Sequence, residues 1–306
     1  MKLEVKNINK YYGAKQVLND VSFSVNAGQT LGLLGRNGHG KSTTMKIIMG
    51  IIYSDGGEVL VDGQKLTQTK FKLGYLPEER GLYPKSTILE QMIYFARLRG
   101  LGSNEAKRSS LYLLEKLEMT EYINKKAATL SKGNQQKIQL AISLINEPDI
   151  IILDEPYSGL DPVNSKLLQE VVEENAAQNK VILFSSHQLN TVEAFCKDIC
   201  IINNGQVLVS GTLSKIKSGY PKDKLLIKPE DGKQLMALHQ LIHRELSDNV
   251  AESYLEETAV ILKLRHESHK NKVIEQIMQA HIEVETFSLL YPTLLDIFLE
   301  KVGTDE

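Results

Sequence analysis

Gly35-Arg36-Asn37-Gly38-His39-Gly40-Lys41-Ser42-Thr43 follows an apolar, strand-like run, Thr30 to Leu34, and leads into residues with helical spacing, Met45, Ile48 and Met49. Strand, glycine-bearing loop and helix in that order satisfy G-x-x-x-x-G-K-[ST], counted from Gly35. Each residue type has a physical reason to be there. The glycines let the backbone turn so that its N–H groups face phosphate oxygens, and the helix that follows adds the positive end of its dipole. Lys41 can reach the β- and γ-phosphates of a nucleotide, and the Ser42 hydroxyl can ligate Mg²⁺. Gly35, Asn37, Gly38, Gly40, Lys41, Ser42 and Thr43 therefore form the expected phosphate-binding set.

Around this loop the chain reads as an ordinary globular protein. It has 306 residues, 42% apolar and 24% charged, enough for one large domain and a small one. A net charge of −2 gives no overall pull toward nucleic acid, and no nucleic-acid partner is expected. No run approaches the length of a membrane span, and Met1-Lys2-Leu3-Glu4-Val5 is strand-like rather than a signal peptide, so the chain reads as cytosolic. Its two cysteines, Cys196 and Cys200, read as buried reduced thiols on one helix.

Leu3 to Ile8 and Val21 to Val25 alternate like half-buried strands. Gly50 caps the helix after the phosphate loop, and Asp62-Gly63 signals a hairpin after Glu58 to Val61. A buried strand near Leu73 to Leu76 stops at Pro77. The texture then changes. Thr87-Ile88-Leu89-Glu90 is a capping box opening a helix to about Arg99, and helical stretches follow at Glu105–Leu117 and Gln135–Ile145, so residues 85–145 form a helical insertion. Strand patterns return at Ile150–Leu153, Val181–Phe184 and Ile199–Ile202, with a hairpin at Asn204-Gly205. A loop at Ser218–Pro221 divides residues 1–218 from a small α/β module at 219–306: strand, helix (Gln234–Glu245), strand (Ala259–Leu264), helix, strand, helix.

Hydrolysis of a nucleotide needs a further metal contact and a group to activate water. Ile150-Ile151-Ile152-Leu153-Asp154-Glu155 supplies both, because a buried strand ends in adjacent carboxylates. That placement puts Asp154 at the carboxyl edge of a parallel sheet, where it can hold Mg²⁺, and leaves Glu155 as the general base. The fold class is α/β, a P-loop NTPase.

Leu130-Ser131-Lys132-Gly133-Asn134-Gln135-Gln136 narrows the class, for it resembles the LSGGQ signature of ABC-family ATPases. Tyr12 matches the aromatic that stacks on adenine, Ser158-Gly159-Leu160-Asp161 the D-loop, and His187 the switch histidine at the γ-phosphate. The resemblance runs through residues 1 to about 215. Singly, each residue has a plainer reading: Tyr12 as a packing aromatic, Ser131 as a helix N-cap, Asp161 as a turn residue before Pro162, His187 as a surface histidine. In this order together they do not. The chain departs from the pattern at Lys132 and Asn134 in the signature, and at Glu78, where most members carry the Q-loop glutamine. These departures, and the ending Tyr291 to Leu299, resemble the ABC-2-type exporter branch that serves sodium-efflux or drug and antibiotic export.

The resemblance implies a RecA-like core with an antiparallel β subdomain and a helical subdomain, followed by the accessory C-terminal domain. It implies ATP and Mg²⁺ bound by the loop, Ser42 and Asp154, with Tyr12, Glu78, Ser131, Gly133 and Asp161 at the nucleotide and Glu155 and His187 catalytic. Ser131 and the Gly133 N–H form a second helix end suited to phosphate. Two such ends on one triphosphate imply a head-to-tail dimer, homodimer or heterodimer, with ATP between the subunits. The implied partner is a membrane permease docking near Glu78–Tyr83, with the chain held at the cytoplasmic side of the membrane. An ATPase acting on ribosomes or DNA, or an importer's ATPase with a regulatory tail, is the alternative. The absence of a basic tract and of sustained heptads weighs against the first.

Overall fold

Residues 1–79 and 81–303 are described by the computed structural model. The chain begins with strands Lys2–Tyr12 (β1), Lys15–Asn26 (β2) and Thr30–Leu34 (β3), then helix Lys41–Ile48 (α1) and strands Gly56–Val61 (β4), Gln64–Lys65 (β5) and Leu73–Leu76 (β6). Helices Ile88–Leu98 (α2), Ser103–Lys116 (α3) and Lys132–Leu144 (α4) lead to Ile150–Leu153 (β7). Then come Pro162–Ala177 (α5), Val181–Ser186 (β8), Leu189–Phe195 (α6), Asp198–Asn203 (β9), Gln206–Thr212 (β10) and Leu213–Ser218 (α7). The remainder is Lys224–Pro229 (β11), Leu235–Glu245 (α8), Val250–Leu255 (β12), Val260–Leu264 (β13), Lys270–Gln279 (α9), Val284–Leu290 (β14) and Leu294–Val302 (α10).

Two units emerge: residues 1–213 with the stretch from Phe298 onward, and Ser214–Ile297. In the first, six strands run in the order β10-β9-β3-β8-β7-β6, parallel from β9 to β6. β3, β7 and β8 are buried throughout, as parallel strands covered on both faces must be, which explains why their sequences are continuous apolar runs. A second, antiparallel sheet, β2-β1-β4-β5, shares a core with it: Leu3, Val5, Val21 and Phe23 cluster with Leu31, Leu33, Met45, Ile150, Ile152, Val181 and Leu183. α2, α3 and α4 pack on one another, and α4 also packs on β6. Both halves of the Thr87 capping box are present: Glu90 N–H bonds the Thr87 hydroxyl and the Glu90 carboxylate accepts from Thr87 N–H.

The second unit has the order strand, helix, strand, strand, helix, strand, and its antiparallel sheet runs β12-β13-β11-β14, the ferredoxin-like arrangement. Leu238 and Ile242 of α8 and Val273 and Ile277 of α9 join Leu225, Ile227, Val260 and Leu262 in a core of its own. β12 has no counterpart in the sequence reading. It is an edge strand with most of its residues exposed, so it lacks the apolar alternation that marks a half-buried strand. The shared-helix placement of the two cysteines is corrected: Cys196 lies in extended backbone beyond α6, and Cys200 is in β9, where the strand pattern Ile199–Ile202 puts it. Both are free and buried, and burial pushes the Cys200 thiol up to about 12. Among the described residues no helix is long and apolar enough to cross a membrane.

Two hairpins use the same left-handed pair, Asp62-Gly63 (φ 50° and 79°) and Asn204-Gly205 (φ 47° and 75°). Their surroundings differ. A Cβ on Gly63 would meet nothing within 4 Å, whereas one on Gly205 would lie 2.2 Å from the Val17 carbonyl oxygen. Gly63→Ala should therefore cost only the left-handed backbone penalty, about 1–2 kcal/mol. Gly205→Ala adds displacement of β2, for a total of at least about 3 kcal/mol. Urea midpoints of the two variants, compared at equal slope, check the difference.

Candidate functional site

β6, β7, β8 and β3 lie side by side and parallel, with Leu76 opposite Leu153, Leu153 opposite Phe184 and Ser186 opposite Leu34. The segments leaving their carboxyl ends are thereby gathered at one edge. From β3 comes the loop Gly35–Thr43, from β7 Asp154 and Glu155, from β8 His187, and from β6 Pro77 and Glu78.

The loop is shaped by contacts that exclude larger residues. A Cβ on Gly35 would fall 2.3 Å from the Ile202 carbonyl oxygen. His39 Nδ1 lies 2.6 Å from Asn203 Oδ1, and its carbonyl accepts from Gly205 N–H, so the β9–β10 hairpin braces the loop. The sequence reading gave His39 no chemistry, and this bond is its observed role. Asn37 and Gly38 are exposed, while Ser42 and Thr43, in the first turn of α1, are half-buried. N–H groups in that turn have no partner within the helix. Lys41 is buried, and its Nζ donates to the carbonyls of Gly35 (2.7 Å) and Arg36 (3.3 Å). Burial lowers the Lys41 pKa, opposed by the charges of Glu155, Asp154 and Glu78. Those three carboxylates are thus the ones within electrostatic reach of the lysine.

Asp154 is 2% exposed and Glu155 7%. Ser185 Oγ donates to Asp154 Oδ1 at 2.6 Å and accepts from Glu155 N–H at 2.9 Å. Glu155 has φ +49°, a left-handed conformation uncommon for a residue with a side chain. Its Oε2 lies 2.9 Å from His187 Nδ1 and 3.4 Å from His187 N. A carboxylate can only accept, so the ring proton facing it sits on Nδ1. Oε1 is buried and has no hydrogen-bond partner among the described residues. Tyr75 in β6 also belongs here, for burial and the charges of Asp154 and Glu78 push its hydroxyl up to about 12. Ser185 and Tyr75 were not singled out from sequence. The only signal for Ser185 was a pair of hydroxyls ending an otherwise apolar strand.

The other expected residues stand on other elements. Ser131 is the N-cap of α4, accepting from Asn134 N–H at 3.2 Å. Asp161 caps α5 with Pro162 following, and its bond from Asn164 N–H holds its carboxyl below the usual range. Gly133 faces this second cap: a Cβ there would touch Asn164 and Leu160 at ordinary distances. Tyr12, at the end of β1, is 52% exposed, and Lys10 Nζ lies 5.6 Å from its ring centre. Among the described residues no hydrogen bond or ion pair joins Tyr12, Ser131, Gly133 or Asp161 to the loop, Asp154 or Glu155. Nor does any cluster of three or more His, Cys, Asp or Glu stand ready to hold a metal alone. Ser42 and Asp154 could hold one only with ligands drawn from substrate and water.

This edge, with its anion-binding loop and paired carboxylates, defines a P-loop NTPase. Comparison with known proteins places it further. The chain matches the ABC transporter family over residues 18–158 and the C-terminal domain of DrrA1-3-like ATP-binding proteins over residues 211–302. It is 37% identical to the ABC transporter ATP-binding protein YhaQ of Bacillus subtilis (strain 168), over 98% of each chain. It is 30% identical to the linearmycin resistance ATP-binding protein LnrL of the same organism, again over 98% of each. Among solved structures, the dimeric bacterial ABC transporter cassette MJ0796 overlays with a TM-score of 0.63 at 25% identity, covering 69% of this chain and 98% of the cassette. The chain belongs to the ATP-binding proteins of ABC transporters, a family that binds and hydrolyses ATP.

Between the acidic pair and the second cap, Tyr157 is buried against Phe184 and Phe195, with ring centres 5.8 and 5.5 Å away, and its hydroxyl has no partner. Burial raises its pKa. An unpaired buried hydroxyl is destabilising, so Tyr157→Phe should raise stability by about 1 kcal/mol with ATPase rate unchanged. Thermal melting and a phosphate-release assay test this.

Proposed function

We propose that the chain is the motor subunit of an exporter, hydrolysing ATP between two copies and driving a separate membrane permease. The observation that carries the reading is the gathering of Lys41, Asp154, Glu155 and His187 at one sheet edge. The helix end at Ser131 and Gly133 has no bond to them among the described residues. A head-to-tail dimer supplies that helix end from the second copy, as the dimeric cassette's overlay supports. The similarity to the linearmycin resistance protein through the C-terminal domain favours export over import.

In this reading the triphosphate lies along Gly35–Thr43, with Tyr12 against the adenine and Lys41 leaving its carbonyl partners for the β- and γ-phosphates. Ser42 and Asp154 fit Mg²⁺: they offer hard oxygen ligands, and Asp154 keeps Oδ2 without a hydrogen bond among the described residues. The cation, when bound, neutralises charge on the phosphate oxygens. Glu155 takes the proton of the attacking water on Oε1, the oxygen no protein donor occupies, while His187 fixes Oε2. Glu78 stands at the same edge and presents a carboxylate in the Q-loop position. Across the dimer Ser131 and the Gly133 N–H donate to the γ-phosphate, and Asp161 borders it.

The permease docks on the first unit near Glu78–Tyr83 and the helical segment 85–145. Tyr83, Tyr94 and Phe95 form an aromatic cluster there, with Tyr83 and Tyr94 each 48% exposed. A hollow of about 460 Å³ lined by Tyr83, Ser86, Glu90, Gln91 and Tyr94 suits a short helix. The protein is then peripheral on the cytoplasmic face, and the second unit, Ser214–Ile297, acts as its accessory domain, a division that starts at 214 rather than 219 and leaves Phe298 onward with the first unit.

Glu155→Gln should bind ATP with affinity within about threefold of wild type, lose at least about 100-fold in turnover, and elute as an ATP-dependent dimer in size-exclusion chromatography. A fully active variant would refute Glu155 as the base. The same variant, tagged and loaded with ATP, should recover an integral membrane protein with several spans from detergent-solubilised host membranes. Recovery of ribosomal or DNA-repair proteins in its place would overturn the exporter reading and leave the ATPase.

A further inference from the structure

One buried hydroxyl bridges both acidic residues. Ser185, in β8 and 0% exposed, donates to the side chain of Asp154 at 2.6 Å and accepts from the backbone of Glu155 at 2.9 Å. Strand register puts it there: Leu153 of β7 is opposite Phe184, so the next residue on each strand is Asp154 beside Ser185. The directions of the two bonds follow from atom count. A hydroxyl has one proton, and an N–H can only donate, so the Ser185 proton is committed to Asp154. A bond of 2.6 Å from a hydroxyl to a carboxylate is in the range of charge-assisted ones.

The two bonds have separate consequences. The first holds Asp154 Oδ1, fixes the carboxylate plane, and leaves Oδ2 as its free oxygen; it is the only hydrogen bond the described residues make to that side chain. The second secures Glu155 N–H in a residue whose φ of +49° is intrinsically unfavourable. That left-handed turn bends the chain so that the Glu155 carboxylate meets His187 instead of continuing along β7. Alanine at 185 would strand a buried N–H and release the Asp154 carboxylate together.

We propose that Ser185 is a positioning residue for ATP hydrolysis, setting Asp154 for the cation and Glu155 for water through a single hydroxyl. The proposal rests on the ATPase reading above. Ser185 is closed off from solvent and acts only through its two neighbours, so its removal should move cation affinity and turnover and spare nucleotide binding.

The test compares Ser185→Ala, Ser185→Thr and Ser185→Cys in the full chain. Mn²⁺ affinity with nucleotide present is read by electron paramagnetic resonance, ATP binding without divalent cation by a fluorescent analogue, and kcat and KM by phosphate release. Ser185→Ala should weaken Mn²⁺ about 10–100-fold and lower kcat by a similar factor. KM for ATP and cation-free nucleotide affinity should stay within about threefold of wild type. Ser185→Thr, which keeps the hydroxyl, should recover most of both losses, and Ser185→Cys, close in volume but a weak hydrogen-bonding partner, should not. In an Asp154→Asn background, Ser185→Ala should change Mn²⁺ affinity less than about twofold. A folded Ser185→Ala or Ser185→Cys protein with wild-type Mn²⁺ affinity and kcat overturns the proposal, as does a Ser185→Thr protein no better than alanine. If alanine prevents folding, the threonine and cysteine pair decides alone. A wild-type protein without nucleotide binding or turnover defeats the ATPase reading itself, a result distinct from all of these.

Discussion

The parallel register of β6, β7, β8 and β3 is the constraint on which everything else depends. Side-chain direction alternates along a strand, so a slip of one residue between β7 and β8 would turn Ser185 away from Asp154 and send apolar residues to the wrong layer. Burial on both faces makes such a slip expensive. Every position from Ile150 to Leu153 and from Val181 to Ser186 is enclosed. The apolar runs therefore do two things at once: they hold the sheet together, and they meter the exact distance at which four loops emerge. Chemistry at the edge inherits its precision from packing beneath it.

What emerges there is a costly concentration of charge. Lys41, Asp154 and Glu155 are all withdrawn from water, and burial outweighs three nearby carboxylates in lowering the lysine's pKa. Short polar bonds offset the cost locally: two carbonyls for Lys41, one serine for both acidic residues, one histidine for Glu155. None of these partners carries a full negative or positive charge of its own at Lys41 or Asp154. The groups are held in place without being neutralised, which keeps them available to a ligand of either sign.

Much of this was legible in the chain because the signals were local. Capping boxes, Asp-Gly and Asn-Gly turns and continuous apolar strands each declare themselves within a few residues, and the Thr87 box and both hairpins form where those residues stand. The edge strand β12 was not legible, since one exposed strand of a four-stranded sheet owes its existence to its neighbour β13 rather than to its own pattern. Spacing puts the two cysteines on one helix although Cys200 also falls in the strand pattern Ile199–Ile202, where it in fact lies; a spacing of four residues fits a helical turn but does not establish one. At the candidate site, residues of known chemical type were easily picked out, Lys41, Asp154, Glu155 and His187 among them. Ser185 and Tyr75 were not, because their part is set by which strand lies beside which, and that ordering appears in no single segment.

The cap at Ser131 shows how one hydroxyl can serve a helix and still keep a donor in hand. A hydroxyl holds two lone pairs and one proton, and capping the Asn134 N–H occupies a lone pair only. The proton is left over, pointing wherever an acceptor presents itself. Capping the helix and donating to a further acceptor thus draw on different parts of one oxygen, and neither has to be surrendered for the other. A helix start built this way needs no rearrangement of α4 to meet an acceptor, because the cap that stabilises the helix leaves the hydroxyl proton uncommitted.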